Sequence, residues 1–234
     1  MKPNEFINKL NELNIKYTND MLEQLREYYQ YLKEYNSHTN LTAITNEEDV
    51  YLKHFYDSLT LTKVINFNNV NSLLDIGSGA GFPGIVIKIF FPHLKVTVLD
   101  SNNKKTTFMS SLISKLGLKD INVINDRAEN YAVKNIKYDV ITSRAVAYID
   151  IITTLSSYFT QENSVILLMK GDITNELTLL KRYQQELNIH DYNVISCNLD
   201  NNNIRNIIKI HINNQNQKIM NYSQISKRHD KWTK

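Results

Sequence analysis

Glycine is scarce in this chain except in one short stretch. Four of its six glycines stand within eight residues, directly after the apolar run Ser72–Ile76: Gly77, Gly79, Gly81 and Gly84. Glycine adopts positive φ values and lets the backbone approach a ligand closely. Pro83 is suited to the first turn of a following helix. The stretch therefore predicts a ligand-binding loop between a strand and a helix, rather than merely a tight turn.

Two adenosine-containing cofactors fit this loop. Residues 79–84 satisfy the G-x-G-x-x-G spacing of nicotinamide- and flavin-binding folds, a weak signal when taken alone. Asp75, just ahead of the loop, would repel a pyrophosphate but attract the ammonium and sulfonium groups of S-adenosylmethionine. Asp100 ends the next apolar run, where a carboxylate either accepts hydrogen bonds from a ribose diol or caps the following helix. Asp75 thus favours S-adenosylmethionine.

Basic residues recur near the predicted strand ends. Arg144 follows a strand at the edge where open α/β sheets bind ligands, so it is a candidate to clamp a phosphate or stack on a base. Basic residues between Lys218 and Lys234 contact phosphates or belong to a solvated terminus. Five further basic residues either lie together as one positively charged track that binds RNA or are scattered over the surface: Lys104, Lys105, Arg127, Lys170 and Arg205.

Other kinds of catalytic site are disfavoured by spacing. His54, Asp57 and Ser58 lie on one predicted helix, whereas the members of a hydrolase triad come from separate elements. The six histidines have no metal-ligand spacing, so no metal is expected. Cys197, the single cysteine, has no activating neighbour, which disfavours methylation of cytosine C5 through a thiolate.

Length and composition are typical of a single-domain enzyme, or of one domain with a modest extension. Its 234 residues are enough to bury a core without disulfides or metals, and a single cysteine fits a reducing compartment. The most apolar run, Gly84 to Phe91, is interrupted by Lys88, so neither a signal peptide nor a membrane span is predicted. A net charge of +3 is too small to indicate nucleic acid by itself. We expect a cytoplasmic monomer.

The residues before the glycine loop follow a helical pattern. Apolar residues recur every three or four positions from Met21 to Tyr35 and predict a helix capped by Thr18. A capping box at Thr45–Glu48 predicts the start of another helix that runs through His54 to Leu61. The first 66 residues are therefore predicted to form an N-terminal helical segment.

After residue 66, short apolar runs alternate with helical segments. The predicted strands are Ser72–Ile76, Val96–Asp100, Ile121–Ile124, Tyr138–Thr142 and Val165–Met169, followed by an antiparallel hairpin from Tyr192–Ser196 and Ile204–Ile212. This alternation predicts an α/β fold with a doubly wound, mostly parallel sheet and an antiparallel late strand. The predicted domains are residues 1–66, a cofactor-binding domain at 67–212, and a polar basic tail at 213–234.

Seven stretches occur in a fixed order between Leu13 and Ile212. They are Tyr35-Asn36 with Asn40-Leu41-Thr42, His54–Ser58, the glycine loop with Phe82-Pro83-Gly84, Asp100-Ser101 with Lys104, Asp126–Glu129, Ser143–Ala147, and Met169–Gly171. Together they resemble the bacterial 16S ribosomal RNA guanine-N7 methyltransferase family, historically called glucose-inhibited division protein B. The resemblance implies a Rossmann-like class I methyltransferase that uses S-adenosylmethionine.

The resemblance also implies a substrate and a set of site residues. The substrate would be 16S ribosomal RNA or the small ribosomal subunit, methylated at N7 of a guanine in the decoding-region loop. Guanine N7 offers a lone pair directly, so the reaction requires alignment and no general base. Arg144 is the predicted catalytic residue, and the cofactor contacts implied by the family or by the loop are Asp75, Gly77, Gly79, Gly81, Phe82, Asp100, Ala128, Glu129 and Arg144. The alternatives are a nicotinamide-dependent oxidoreductase and a non-catalytic RNA-binding module for ribosome assembly.

Overall fold

A single mixed sheet forms the centre of the computed structural model, which describes residues 1–200, 203–213 and 218–233. Within these residues seven strands pair in the order β3-β2-β1-β4-β5-β7-β6. The strands are β1 Ser72–Ile76, β2 Lys95–Asp100, β3 Ile121–Asn125, β4 Tyr138–Arg144, β5 Thr160–Lys170, β6 Ile189–Asn198 and β7 Ile204–Ile212. Strands β1 to β5 are parallel, and β7 runs antiparallel to both β5 and β6. The predicted Rossmann-like sheet with an antiparallel late strand is confirmed.

The strand predictions were accurate in position and less so in length. β4 and β5 are longer than the predicted apolar runs. Their additional residues lie at the ends of the strands, where polar residues are more frequent. The predicted hairpin is β6–β7, paired from Ile189 opposite Ile212 to Asn198 opposite Ile204. Asn201 and Asn202, in the connection between these strands, lie outside the described residues, as do 214–217 and Lys234 of the predicted tail.

Helices surround the sheet and connect its strands. Their bounds are α1 Pro3–Glu12, α2 Asn19–Thr39, α3 Glu47–Val50, α4 Asp57–Leu59, α5 Gly84–Phe90, α6 Asn103–Lys115, α7 Ala128–Tyr131, α8 Ile149–Ser157, α9 Thr174–Arg182 and α10 Tyr222–Thr233. A π-helical turn over Tyr51–Tyr56 joins α3 to α4, and a 3₁₀ turn over Thr60–Lys63 follows α4. The helical character predicted for the first 66 residues is present over most of their length.

The two predicted helix starts differ in accuracy. Thr18 caps α2 as expected, its hydroxyl accepting the Met21 N–H at 3.3 Å. The cap of α3 is Asn46 instead of Thr45, because the Asn46 side-chain oxygen accepts the Asp49 N–H at 2.8 Å. Asparagine is as good a cap as threonine or better, so α3 begins one residue later than the capping box predicts.

Each face of the sheet has its own apolar core. Leu73, Val96 and Val140 point to the face covered by the N-terminal helices, α5 and α6. The alternate residues Leu74 and Ile141 point to the other face, under α7, α8 and α10. This alternation is the pattern of a sheet covered on both sides. The division at residues 66 and 212 stays a prediction.

Helix α10 occupies most of the segment predicted as a tail. Ile225 is completely buried in the second core, and Trp232 packs on Tyr183 with ring centroids 3.9 Å apart. Lys227 and Lys231 are exposed on its outer side. Residues 222–233 thus form a helix packed on the second core, and not a frayed end. Within the described ranges, no helix has the length and apolar character needed to cross a membrane.

Candidate functional site

The glycine loop joins the carboxyl end of β1 to α5. Gly77, Gly79 and Gly81 have φ values of +72°, +62° and +97°, which other residues rarely adopt. The Gly77 N–H donates to the carbonyl of Leu99 at 2.7 Å, and the Gly79 N–H donates to Asp100 Oδ2 at 3.0 Å. The loop is therefore fixed to the end of β2 at two points.

Asp75 lies beneath this loop, not at its surface. The side chain is completely buried in β1, and its Oδ2 accepts the Gly84 N–H at 2.8 Å. Its Oδ1 has no hydrogen-bond partner among the described residues. Burial raises the pKa of Asp75 to about 6, so most molecules carry the carboxylate at neutral pH. Asp75 thus acts on the site from below, by holding the start of α5 and by its charge.

Two cavities open where the parallel strands end. The acidic cavity has a volume of about 300 Å³ and lies beyond β2 and β3, with carboxylates of Asp100, Asp126 and Glu129 in its wall. Leu99, Val146 and Leu155 supply apolar surface, and Lys105, Arg127, Ala128 and Tyr222 complete this part of the lining. A mixture of carboxylates and apolar walls suits a ligand with hydroxyl groups and a flat base.

The basic cavity is larger, about 510 Å³, and lies between the glycine loop, the N-terminal segment and the start of β7. Its cationic lining residues are Lys53, Lys105, Arg144 and Arg205. The loop before α3 forms another part of the wall, fixed by paired hydrogen bonds of 2.9 Å between the Asn36 side chain and the backbone of Thr42. A cavity of this size and charge suits part of a polyanion.

The two cavities are neighbours. Gly77, Lys105 and Ala145 line both of them. A Cβ on Gly77 would overlap the Val146 side chain, so only glycine fits this shared wall without displacement. A ligand in one cavity would therefore lie next to a ligand in the other.

Asp57 holds two arginines at the back of the basic cavity. Its completely buried carboxylate accepts hydrogen bonds from Arg144 Nη1 at 3.0 Å and from Arg205 Nε and Nη2 at 2.7 and 2.8 Å. Arg144 also donates to the Lys53 carbonyl at 2.8 Å, and its guanidinium lies 5.2 Å from the ring centre of Phe82. Arg144 is thus engaged by protein groups and fixes the cavity wall.

His54 belongs to the same network. Its Nδ1 lies 3.0 Å from Arg144 Nη2, which is a donor, and 3.1 Å from the Lys53 carbonyl, which is an acceptor. Nε2 lies 3.1 Å from the Thr42 hydroxyl. Burial and the charge of Arg144 lower the pKa of His54 to about 3, so the ring is neutral. The Ser58 hydroxyl donates to the His54 carbonyl, so these residues form no hydrolase triad.

The predicted site residues divide into two groups. Those that line a cavity are Gly77, Gly79, Phe82, Asp100, Ala128, Glu129 and Arg144. Asp75 lies beneath the loop and Gly81 lies within it, and neither lines one of these two cavities. Three residues of the predicted basic track line a cavity: Lys105, Arg127 and Arg205. The Lys170 amine instead donates to the Ala147 carbonyl and to the Glu176 carboxylate.

Three residues of the site were missed in the sequence. Tyr222 lines the acidic cavity, and Lys53 lines the basic one. Tyr28 lies below the loop, where its hydroxyl donates to the Ala80 carbonyl and its ring stacks on Phe82 with centroids 5.2 Å apart. Tyr28 belongs to the apolar stripe of α2, which looks like ordinary core, so the sequence carried no signal of this contact.

The acidic cavity and the loop fit an adenosyl cofactor. Asp100 Oδ1 and Oδ2 each accept one backbone N–H, which leaves lone pairs for ribose hydroxyls. The buried, unpaired Oδ1 of Asp75 puts negative charge under the loop, as a cationic ligand requires. Among the described residues, no group of three or more His, Cys, Asp or Glu side chains could hold a metal ion.

Comparison with solved structures identifies the fold. The chain matches precorrin-6y C5,15-methyltransferase from Geobacter metallireducens with a TM-score of 0.55 and 15% identity, over 73% of this chain and 90% of that one. It matches ribosomal protein L11 methylase from Lactobacillus delbrueckii with a TM-score of 0.52 and 14% identity, over 73% and 81%. Together with the seven-stranded sheet, these likenesses show that the chain has the fold of class I methyltransferases.

Sequence relatives identify the family. The family model described as rRNA small subunit methyltransferase G (GidB) matches residues 21–208. Proteins with the same name are 48% identical over 172 residues in Mesoplasma florum (73% of this chain, 72% of that one) and 43% identical over 174 residues in Listeria welshimeri (73% of each). The chain belongs to the rRNA small subunit methyltransferase G family. This membership decides against the nicotinamide-dependent oxidoreductase.

Proposed function

We propose that the protein transfers a methyl group from S-adenosylmethionine to N7 of a guanine in the decoding-region loop of 16S ribosomal RNA. The observation that carries this proposal is the pair of adjoining cavities at the strand ends, one acidic and partly apolar, the other basic, with Gly77 in the wall of both. A cationic methyl donor fits the first, and an anionic nucleic acid fits the second.

Residues of the acidic cavity would hold the cofactor. Asp100 would accept the ribose hydroxyls, while Ala128 and Glu129, at the start of α7, would border the base. Gly77 and Gly79 allow the close approach of a ligand to the loop, and Asp75 supplies negative charge beneath it. When bound, S-adenosylmethionine supplies a methyl group activated by its sulfonium.

Residues of the basic cavity would receive the RNA. Lys53, Lys105 and Arg205 line the space in which a nucleotide would bind and make it positively charged. We assign Arg144 a positioning role, since its bonds to Asp57, Lys53 and His54 fix the wall next to the shared loop. Phe82 is only 3% exposed and stacks on both Tyr28 and His54, so it supports the loop more than it offers a platform for a base.

The chemistry of guanine N7 agrees with the protonation states in this site. N7 carries a lone pair and no proton at neutral pH, so holding it in line with the methyl–sulfur bond is sufficient, and such alignment contributes about 7–11 kcal/mol of barrier lowering. A general base would have a pKa near the working pH. His54, the nearest candidate, has a pKa of about 3, far below that range, and both of its ring nitrogens lie within hydrogen-bond distance of protein groups: Nε2 beside Thr42, and Nδ1 beside Arg144 and the Lys53 carbonyl.

Methyl transfer to defined substrates tests the proposal. The purified protein is incubated with S-adenosylmethionine and with small ribosomal subunits lacking this modification, and the nucleosides are analysed by mass spectrometry. We expect 7-methylguanosine at one site of 16S RNA, and its absence from ribosomal RNA of cells that lack the protein. S-adenosylmethionine binding without methyl transfer to any ribosomal RNA would support the non-catalytic assembly module instead.

We also propose that the protein acts as a cytoplasmic monomer. Side chains of one chain line both cavities, and ribosomal RNA is found in the cytoplasm of bacteria. Light scattering on the protein with bound S-adenosylmethionine tests the first point, since a dimer mass would contradict it. Cell fractionation tests the second.

A further inference from the structure

The C-terminal helix brings an aromatic ring to the acidic cavity. Tyr222, the first residue of α10, lines this cavity together with Asp100, Glu129 and Leu155. The family match ends at residue 208, so α10 lies wholly outside it. Tyr222 is 42% exposed, and burial in a core therefore does not account for its place at the cavity.

Helix α10 is held firmly enough to give Tyr222 a defined position. His229 Nδ1 lies 2.9 and 3.1 Å from the two carboxylate oxygens of Asp150 on α8, and Asp150 is completely buried. The His229 ring also stacks on Tyr148, with centroids 4.5 Å apart, and Arg228 donates to the Thr154 hydroxyl. Side chains six and seven positions after Tyr222 thus anchor the helix to α8, which itself contributes Leu155 to the cavity.

Tyr222 also contacts the opposite wall of the cavity. The guanidinium carbon of Arg127 lies 5.4 Å from the centre of the Tyr222 ring, a cation–π distance. Arg127 directly precedes α7, and it lies 3.6 Å from a carboxylate oxygen of Glu129. We call the Arg127–Tyr222 pair the clasp. It joins the start of α7 to the start of α10 across one end of the acidic cavity.

The geometry points to Tyr222 as a binding residue for the adenine base of S-adenosylmethionine, which makes α10 part of the cofactor site. This inference rests on the proposed function. With the ribose held at Asp100, the base would lie toward α7 and the clasp, where Leu155, Val146 and the Tyr222 ring supply apolar and aromatic surface. A planar base is well held by such surface, since ring stacking adds to the burial of area.

Calorimetric binding of two probes, S-adenosylmethionine and adenosine, tests this assignment. Tyr222→Ala should weaken both by about tenfold or more, the loss typical of removing one aromatic partner from a stacked base. Tyr222→Phe keeps the ring and should bind both probes like the wild type. Lys227→Ala, an exposed position on the same helix, is the matched control and should change neither affinity.

Steady-state methylation separates binding from a general loss of structure. Because adenine is remote from the transferred methyl, Tyr222→Ala should raise KM for S-adenosylmethionine with kcat unchanged. If Tyr222→Ala binds both probes as tightly as the wild type, the assignment is wrong and the proposed function stands. If Tyr222→Phe is as weak as Tyr222→Ala, the ring is not the binding element and the assignment is wrong. If the wild type binds neither probe, the proposed function fails and this inference with it.

Discussion

Replacing Asp75 with asparagine should make the protein more stable at neutral pH. The carboxyl is completely buried under the glycine loop, where Oδ2 accepts the Gly84 N–H at 2.8 Å. Burial raises its pKa from the ordinary 3.8 to about 6, against the smaller opposing effect of the hydrogen bond from Gly84. Asparagine keeps an acceptor for that N–H but cannot ionise.

The pH dependence follows from the direction of this change in pKa. The folded protein binds the proton of Asp75 more tightly than the unfolded chain does, so its stabilising effect is complete below about pH 4 and is lost as the pH rises through about 6. A rise of about two pKa units corresponds to about 3 kcal/mol. The free energies of unfolding of Asp75→Asn and the wild type should therefore be close near pH 4 and differ by up to about 3 kcal/mol above pH 7.

Urea titrations between about pH 4 and 8 measure this difference. Asp75→Ala is the matched control: it cannot ionise either, so its difference from the wild type should vary with pH as that of Asp75→Asn does, but it should be less stable than Asp75→Asn at every pH because the Gly84 N–H loses its acceptor. A difference between Asp75→Asn and the wild type that is constant with pH would refute the reasoning. Affinity for S-adenosylmethionine should fall in Asp75→Asn, since the negative charge beneath the loop is lost.

Three further predictions concern the two cavities. Asp100→Ala should weaken S-adenosylmethionine binding by about 1–3 kcal/mol through loss of the ribose acceptor; an unchanged calorimetric dissociation constant would remove Asp100 from the cofactor site. Asp57→Ala should lower the free energy of unfolding by about 3–5 kcal/mol in urea titrations, because Arg144 and Arg205 lose their shared carboxylate; an unchanged midpoint would contradict this. The single-turnover methylation rate should be nearly constant from about pH 7 to 9, because no general base is required. A steep rise in that range that His54→Gln abolishes would overturn the base-free mechanism.

The sheet and half of the site were predictable because their signals are local. Apolar runs separated by helical segments determine the parallel strands, and Asp100 and Arg144 follow from the rule that ligands bind at the carboxyl ends. The side chain of Asp75 was expected to face the ligand, but its strand position buries it. Because β1 is buried on both faces, the alternation of residues along it does not show whether the Asp75 side chain faces the ligand or the interior.

The remainder of the site depends on contacts between distant parts of the chain. Asp57 looked like one residue of a polar helix face, and only the folded chain brings Arg205 to it. Tyr222 did have a sequence signal, since Tyr222, Ile225, His229 and Trp232 recur every three or four residues and form the inner stripe of α10. The surrounding lysines made the segment look like a solvated tail instead.

The bond between Asp57 and Arg205 also determines when the basic cavity is complete during synthesis. The two residues are 148 positions apart, and Arg205 reaches Asp57 only after β7 has paired between β5 and β6. Contacts of such long separation form late, and a growing chain folds from its N-terminus. When roughly the first 200 residues have been made, the parallel strands can pair, but Asp57 holds only Arg144 and one wall of the basic cavity is still missing. The nascent chain therefore acquires its glycine loop before it acquires its complete basic cavity.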